Sequence, residues 1–357
     1  MGLATALELS LAGCEVDVFE SSTVANEMGG SGGIGRIFRI TYPDAEVIPV
    51  LLEADRLWDE LESVLGARLR TRTGSLDYGD DEQVGAFAAA LDASGVQYRY
   101  LTKAEVSERW PALELSGRVL FQPDGALIHS EVVLRELAAG LVRRGVTVNE
   151  QMPVAEIAPH EDRVAISVDG EEMLFDRVAV CAGAASAPLC NRFFDLPDVN
   201  VTQEYTLTFD DPGGHPGYPV ACDYRNPPIF GESYFWLPCE TGRLKLGVFV
   251  SGATLQAGDA RSQECPRPLA DELVRYASES FVGGDGLRGI EFAPCTYDIS
   301  PDEWFSFGAS DSGKVVAANG FSGHGFKFAP YVGRTTAAAL LADGAQRPTG
   351  LPWSPQP

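Results

Sequence analysis

Two hydrophobic rhythms alternate along the first half of the chain. Small and apolar residues run through MGLATALELSLAG with helical spacing, and Gly13 is placed to stop that helix. The run CEVDVFES follows as an apolar strand with Glu20 near its end. After the glycine loop GGSGGIGR, a long helical pattern begins near Asp44 and sets Leu51, Leu57 or Trp58, Leu61 and Leu65 on one face. Strand-like pieces occupy about 67–78 and 96–101, on either side of the alanine-rich helix EQVGAFAAALDAS. From Ser130 the helix EVVLRELAAGLVRRG leads to short strands near 146–149, 152–158 and 163–168 and to a buried strand in RVAVCAGA. Residues 201–294 change character, with Tyr, Phe, Pro and Gly and alternating runs such as VTQEYTLTF and RLKLGVFV, the pattern of antiparallel sheet. The last section returns to a buried strand, KVVAANG, a glycine loop, and a helix with Pro330 near its first turn. The tail after Gly344 is rich in proline and is expected to be loosely held.

This order predicts an α/β fold: a Rossmann-like nucleotide-binding domain with an inserted mixed or antiparallel-sheet domain. The first domain is expected from residues 1–66, 125–200 and 295–345, and the second from 67–124 and 201–294. No internal repeat or low-complexity linker interrupts them. The chain of 357 residues, 45% hydrophobic, is long enough to bury both cores. A formal net charge of -24 sets the surface against nucleic acid and anionic membranes, and no stretch approaches the roughly 20 apolar residues that span a bilayer. The seven cysteines are odd in number and lack CxxC pairing, which argues against a disulfide framework or a structural zinc site. No metal is expected, and a reducing cytoplasm is the natural setting.

A dinucleotide fold needs a strand, G-x-G-x-x-G, a helix, a second strand and an acid at its end. Gly2 fits the third glycine and Glu20 the acid that binds the adenosine ribose. The alternative is an ordinary helix–strand pair. Because Met1 falls where an internal residue of the glycine motif belongs, the gene product is expected to start upstream. The strand expected there would sit mid-sheet, and its neighbours would otherwise carry unpaired N–H and C=O groups.

Three distant segments carry the chemistry. GGSGGIGRIFRITY places Arg36 and Arg39 after a glycine loop; LKLG surrounds Lys245; and PCTYDISPDEWF, with Cys295, joins NGFSGHGFKFAP, with His324 and Lys327. Together they resemble the monomeric sarcosine oxidase and N-methyltryptophan oxidase family, within the D-amino-acid-oxidase-like flavoproteins. GLATA, TGSLDYGD and FQPDG look like the nikkomycin-pathway piperideine-carboxylate oxidase of the same family. The resemblance runs from Gly2 to about Ala342.

It implies an FAD-binding domain in which Gly2, Glu20, Ser31, Arg36, Val154, Gly323, Gly325 and Lys327 contact the cofactor, and Cys295 carries it through a thioether. It places Arg36 and Lys245 on the flavin face away from substrate, with Lys245 activating oxygen. Read from the strand alone, Lys245 is either interior, on the face opposite Leu244 and Leu246, or snorkelling from an edge. Arg39 and Lys327 match the clamp for a substrate carboxylate. Tyr297 matches a pocket tyrosine, and His324 sits in the glycine loop beside the ring. Phe235 and Phe249 stand where the family has a tyrosine and a histidine, which makes the pocket less polar and favours a bulkier or cyclic imino acid over sarcosine. His129, His160 and His215 are read as surface or structural.

The reading is therefore an FAD-dependent oxidase of a small amino or imino acid, releasing hydrogen peroxide, in a monomer or weak dimer. Its rivals are a flavin-dependent dehydrogenase, a fructosyl amine oxidase, and an inactive truncated remnant.

Overall fold

The computed structural model describes residues 1–26, 29–211, 217–225, 231–239, 242–250, 252–255, 261–282 and 286–342. His215 and the tail after Gly344 lie outside them. The opening helix forms over Gly2–Leu11 and buries Ala4, Thr5, Ala6 and Leu7. Its main partner is the last helix, Ala329–Leu341, and the two approach so closely that a Cβ on Gly333 would lie 2.7 Å from that of Ala4. The helix patterned from Asp44 begins at Ile48 and runs to Leu65, where Gly66 adopts φ 66° and ends it. It buries Ile48, Leu51, Ala54, Leu57, Trp58 and Leu61.

Short strands lie among these helices. Asp17–Phe19 pairs in parallel with Thr147–Asn149, and Val178–Val180 pairs in parallel with Val315–Asn319, which also takes Ser306–Ala309 antiparallel. The opening helix touches both parallel pairs, which are two separate sheets among the described residues. Val154–His160, Arg163–Val168 and Glu171–Phe175 make an antiparallel sheet, and Arg36–Phe38, Ala126–Ile128 and Arg70–Arg72 another.

A nine-stranded sheet forms the other half. It runs Ala253–Thr254, Asn200–Asp210, Arg243–Phe249, Ser233–Cys239, Val220–Asp223, Ser75–Gly79, Arg118–Gln122, Arg99–Leu101, and Glu291–Ile299 adds to Asn200–Asp210. Its pairs are antiparallel except Val220–Asp223 against Ser75–Gly79. One face is apolar and buries Leu207, Phe209, Tyr234, Trp236, Leu244, Leu246 and Val248.

One expectation needs correction. Residues 201–294 are not sheet alone, because Arg267–Ser280 is a helix whose Leu269, Leu273, Tyr276 and Ala277 cover that apolar face. Alternation in the neighbouring strands masked its 3.6-residue spacing. The division at residue 295 falls inside the continuous strand Glu291–Ile299, and the helix Asp81–Ala93 sends Val84, Phe87 and Leu91 into the core of the first half. No helix among the described residues is long and apolar enough to cross a membrane.

The Gly333 contact predicts a stability defect. Gly333→Ala forces its methyl against Ala4 and is expected to destabilise by about 1–3 kcal/mol, read as a lower urea midpoint. An unchanged midpoint would mean that the helices separate at little cost.

Candidate active site

Side chains along a strand alternate between faces, so the residues between the apolar positions of the large sheet share the opposite face. Across that face the register aligns Asp77, Cys222, Phe235, Gly247 and Thr206 on successive strands, with Lys245 beside Leu237 and Thr208. Lys245 is thus on the face opposite Leu244 and Leu246. It does not snorkel to an edge; it is 8% exposed.

This face borders a cavity of about 2090 Å³, at least twice the roughly 300–1,000 Å³ of a small-ligand pocket. The nucleotide-fold strands and opening helix contribute Gly2, Glu20 and Val154 to its wall; the glycine loop and the strand after it contribute Ser31, Arg36 and Arg39. The large sheet adds Phe235, Lys245, Phe249, Cys295 and Tyr297, and the loop before the last helix adds Gly323, His324, Gly325 and Lys327. Every residue singled out for the site therefore lines one space.

The first cationic cluster joins Arg36, Lys245 and Cys295. A Cβ on Gly33 would lie 3.8 Å from both Arg36 Nη1 and Lys245 Nζ. Arg36 donates to the carbonyls of Gly35 (2.8 Å), Gly30 (2.9 Å) and Gly32 (2.5 Å), so its guanidinium also fixes the glycine loop. Burial, followed by the Arg36 charge, brings the Lys245 ammonium down to about 8. Cys295 feels two opposing influences. Burial raises its thiol above the ordinary range although Lys245 and Arg36 pull it down, so the cations offset desolvation without overcoming it.

The second cluster centres on Tyr42. Arg39 lies 4.8 Å and Lys327 Nζ 5.4 Å from its ring centroid. Arg39 pairs with Asp77 at 3.3 Å, a carboxylate with no exposed surface that also accepts from Thr41 (2.5 Å) and Tyr224 (3.4 Å). Lys327 Nζ donates to the Tyr42 hydroxyl (3.0 Å) and the His324 carbonyl (2.7 Å). The Tyr42 hydroxyl is 3.1 Å from His324 Nδ1, and His324 Nε2 is 3.0 Å from the Glu303 carbonyl. A carbonyl only accepts, so the imidazole proton sits on Nε2 and Nδ1 accepts from Tyr42. Burial above all pushes that imidazole down to about 3, so it is neutral throughout the physiological range.

Aromatic rings close the space. Phe249 lies 6.1 Å from Tyr297 and 6.4 Å from His324, and Trp304 lies 5.6 Å from His324. Asp77, Tyr42, Tyr224, Cys222 and Trp304 were not singled out from the sequence. An acid between Leu76 and Tyr78 in a strand, and a tyrosine three residues after Arg39, were the available signals. His129 is structural, bonded to Thr71 at 2.9 Å, and His160 is half-buried. Among the described residues no group of His, Cys, Asp and Glu is arranged to hold a metal ion.

Residues 1–339 match the family described as FAD dependent oxidoreductase. The chain belongs to that family. It is 28% identical to the N-methyl-L-tryptophan oxidase of Yersinia pestis (strain Pestoides F), over 98% of this chain and 94% of that protein. Two solved structures share the fold. NikD, an unusual amino acid oxidase essential for nikkomycin biosynthesis, superposes with TM-score 0.82 at 22% identity over 98% of this chain and 94% of its own. Glycine oxidase from Geobacillus kaustophilus gives 0.80 at 16% identity over 98% and 92%.

The lining fits FAD. The N-terminus of the opening helix, where unpaired N–H groups suit phosphate, and the Glu20 carboxylate, suited to ribose hydroxyls, share the wall with the Arg36–Lys245 cluster. The walls are also cut to a close approach: a Cβ on Gly323 would strike the Tyr297 ring at 2.6 Å.

The buried neutral His324 sets an acid limit. Unfolded, it takes a proton near its ordinary pKa of 6.5; folded, it resists until about 3. Between those values the unfolded state binds more protons, so stability falls as pH drops through that window, by ~5 kcal/mol if the whole shift is expressed. Urea midpoints measured from pH 7 to 4 are expected to slope less steeply in His324→Gln; equal slopes would show that other groups carry the acid lability.

Proposed function

We propose that this protein is an oxidase of small amino or imino acids, most suited to a secondary amine such as an N-methyl or cyclic imino acid. The observation that carries this reading is the pairing of two cationic clusters on one cavity, Arg39 with Lys327 and Arg36 with Lys245. When bound, FAD would supply an acceptor for a hydride from the carbon beside the substrate nitrogen, with dioxygen as the final acceptor and hydrogen peroxide as the product.

The chain's own residues divide the remaining work. Arg39 offers a planar fork and Lys327 a point charge to one carboxylate, which fixes the amine relative to the ring. Asp77 and the Thr41 backbone hold Arg39 in place. Phe235, Phe249, Tyr297 and Trp304 supply apolar walls that exclude water and suit a ring or aryl side chain better than a lone methyl group. Lys245 keeps a buried positive charge where negative charge develops during reaction with oxygen, and Arg36 supports it. Cys295, beside both cations, is the thiol assigned to carry the cofactor covalently. All seven cysteines are unpaired, which suits a reducing compartment such as the cytoplasm.

Lys245→Met tests the oxygen role. The reaction of the reduced enzyme with oxygen is expected to slow about 100- to 1,000-fold while anaerobic reduction by substrate changes little. Equal losses in both half-reactions would remove the assignment. Acid precipitation tests Cys295: a yellow pellet that turns colourless in Cys295→Ala supports the thioether, and a yellow supernatant from the parent protein rejects it.

A further inference from the structure

Lys327 raises a question of charge. It is 5% exposed, and no carboxylate among the described residues lies within ion-pair distance. Arg39, beside the same Tyr42 ring, already has Asp77 as its counter-ion. A protonated Lys327 would therefore add an unbalanced cation beside a pair, Arg39 and Asp77, whose charges already cancel.

The hydrogen bonds count the same way. A neutral amine has two N–H groups and one lone pair. Both N–H groups are used, toward the Tyr42 hydroxyl and the His324 carbonyl. The Tyr42 oxygen is free to accept because its own proton is committed to His324 Nδ1, which in turn follows from Nε2 donating to Glu303. A neutral Lys327 is thus fully satisfied and keeps a lone pair on the cavity it lines; an ammonium would hold a third N–H without a partner. The groups around it are Arg39 on the strand-end segment, Asp77 on the adjoining strand, Cys222 and Tyr224 beside that strand, and Tyr42 and His324. Burial first and then Arg39 hold the Lys327 amine well below its ordinary value, and Cys222 opposes them weakly.

We propose that Lys327 rests as a neutral amine and takes the proton that an amino-acid zwitterion must lose before oxidation. In the step, one N–H bond of the substrate ammonium breaks and one forms on Lys327 Nζ. The substrate becomes a neutral amine with a free electron pair, and the new ammonium pairs with the substrate's own carboxylate. Charge is conserved, no electron moves, and no outside base is needed. One residue then serves as both the acceptor and half of the clamp. This rests on the carboxylate-clamp reading above.

The test uses the FAD-loaded protein and benzoate, an aromatic carboxylate without an amine. Benzoate binding has to protonate Lys327 from solvent, so calorimetry in buffers of different ionisation enthalpy near pH 8 is expected to show uptake of about one proton per ligand. Lys327→Arg, already charged, is expected to bind benzoate with no uptake. In that variant the anaerobic reduction rate should fall about tenfold per pH unit below the amine's own pKa, a slope reduced in the parent protein. Benzoate binding without proton uptake, or uptake that persists in Lys327→Arg, overturns the proposal. Absence of benzoate binding removes the clamp, and the proposal with it, and is distinguished by a flat titration in every buffer.

Discussion

Four basic side chains, buried or half-buried, lining one cavity are the constraint around which the rest of this structure is arranged. Isolated charges are costly to bury, and the four are accommodated in three ways. Arg36 spreads its charge over three carbonyls of the glycine loop. Arg39 has Asp77. Lys245 and Lys327 have no carboxylate at ion-pair distance among the described residues, and both amines are pulled toward neutrality. The difference follows from chemistry: a guanidinium cannot shed its proton and must be paired, whereas a lysine can.

The scaffold makes that arrangement affordable by separating greasy from functional surface. Alternation along the strand Arg243–Phe249 sends Leu244, Leu246 and Val248 into a core sealed by the helix Arg267–Ser280, and turns Lys245 and Phe249 to the cavity. The same parity on Ser233–Cys239 and Glu291–Ile299 puts Phe235, Cys295 and Tyr297 on the cavity side. A one-residue slip would carry Lys245 into the apolar core and lift a leucine into the site, so register and function are fixed together. The opposite wall depends on helix packing instead, with the Lys327 carbonyl held by the buried Trp58 indole at 2.7 Å.

Much of this was legible in the chain. The motif residues Arg36, Arg39, Lys245, Cys295, His324 and Lys327 carry unusual side chains for their glycine-rich or apolar surroundings, and the strand around Lys245 set it opposite Leu244 and Leu246 without deciding between interior and edge. Partners brought by the fold were less visible. Asp77 looks like one acid among many in a chain with 51 acidic residues, and only its pairing against Cys222 and its contact with Arg39 single it out. Tyr42 mediates between Lys327 and His324 across more than 280 positions of sequence. The helix Arg267–Ser280 was hidden because its apolar spacing is interpretable only once the face it covers is known. The net effect on the Cys295 thiol also depended on a balance of burial against two cations that no motif states.

The surface is acidic, whereas four basic side chains gather on one part of the cavity wall, and this bears on what reaches the site. The chain has a formal net charge of -24, while the cavity wall presents Arg36, Arg39, Lys245 and Lys327. At physiological ionic strength the surface field decays over roughly 8 Å, so it acts at the mouth and little at the clamp. A free carboxylate approaching the protein is repelled before it meets the clamp, whereas a zwitterion has no net charge to repel. On the proposed clamp its carboxylate would meet Arg39, and its ammonium would lie beside an amine already displaced toward neutrality. The acidic exterior and the basic cluster inside therefore favour the same ligand, one that carries both charges on arrival.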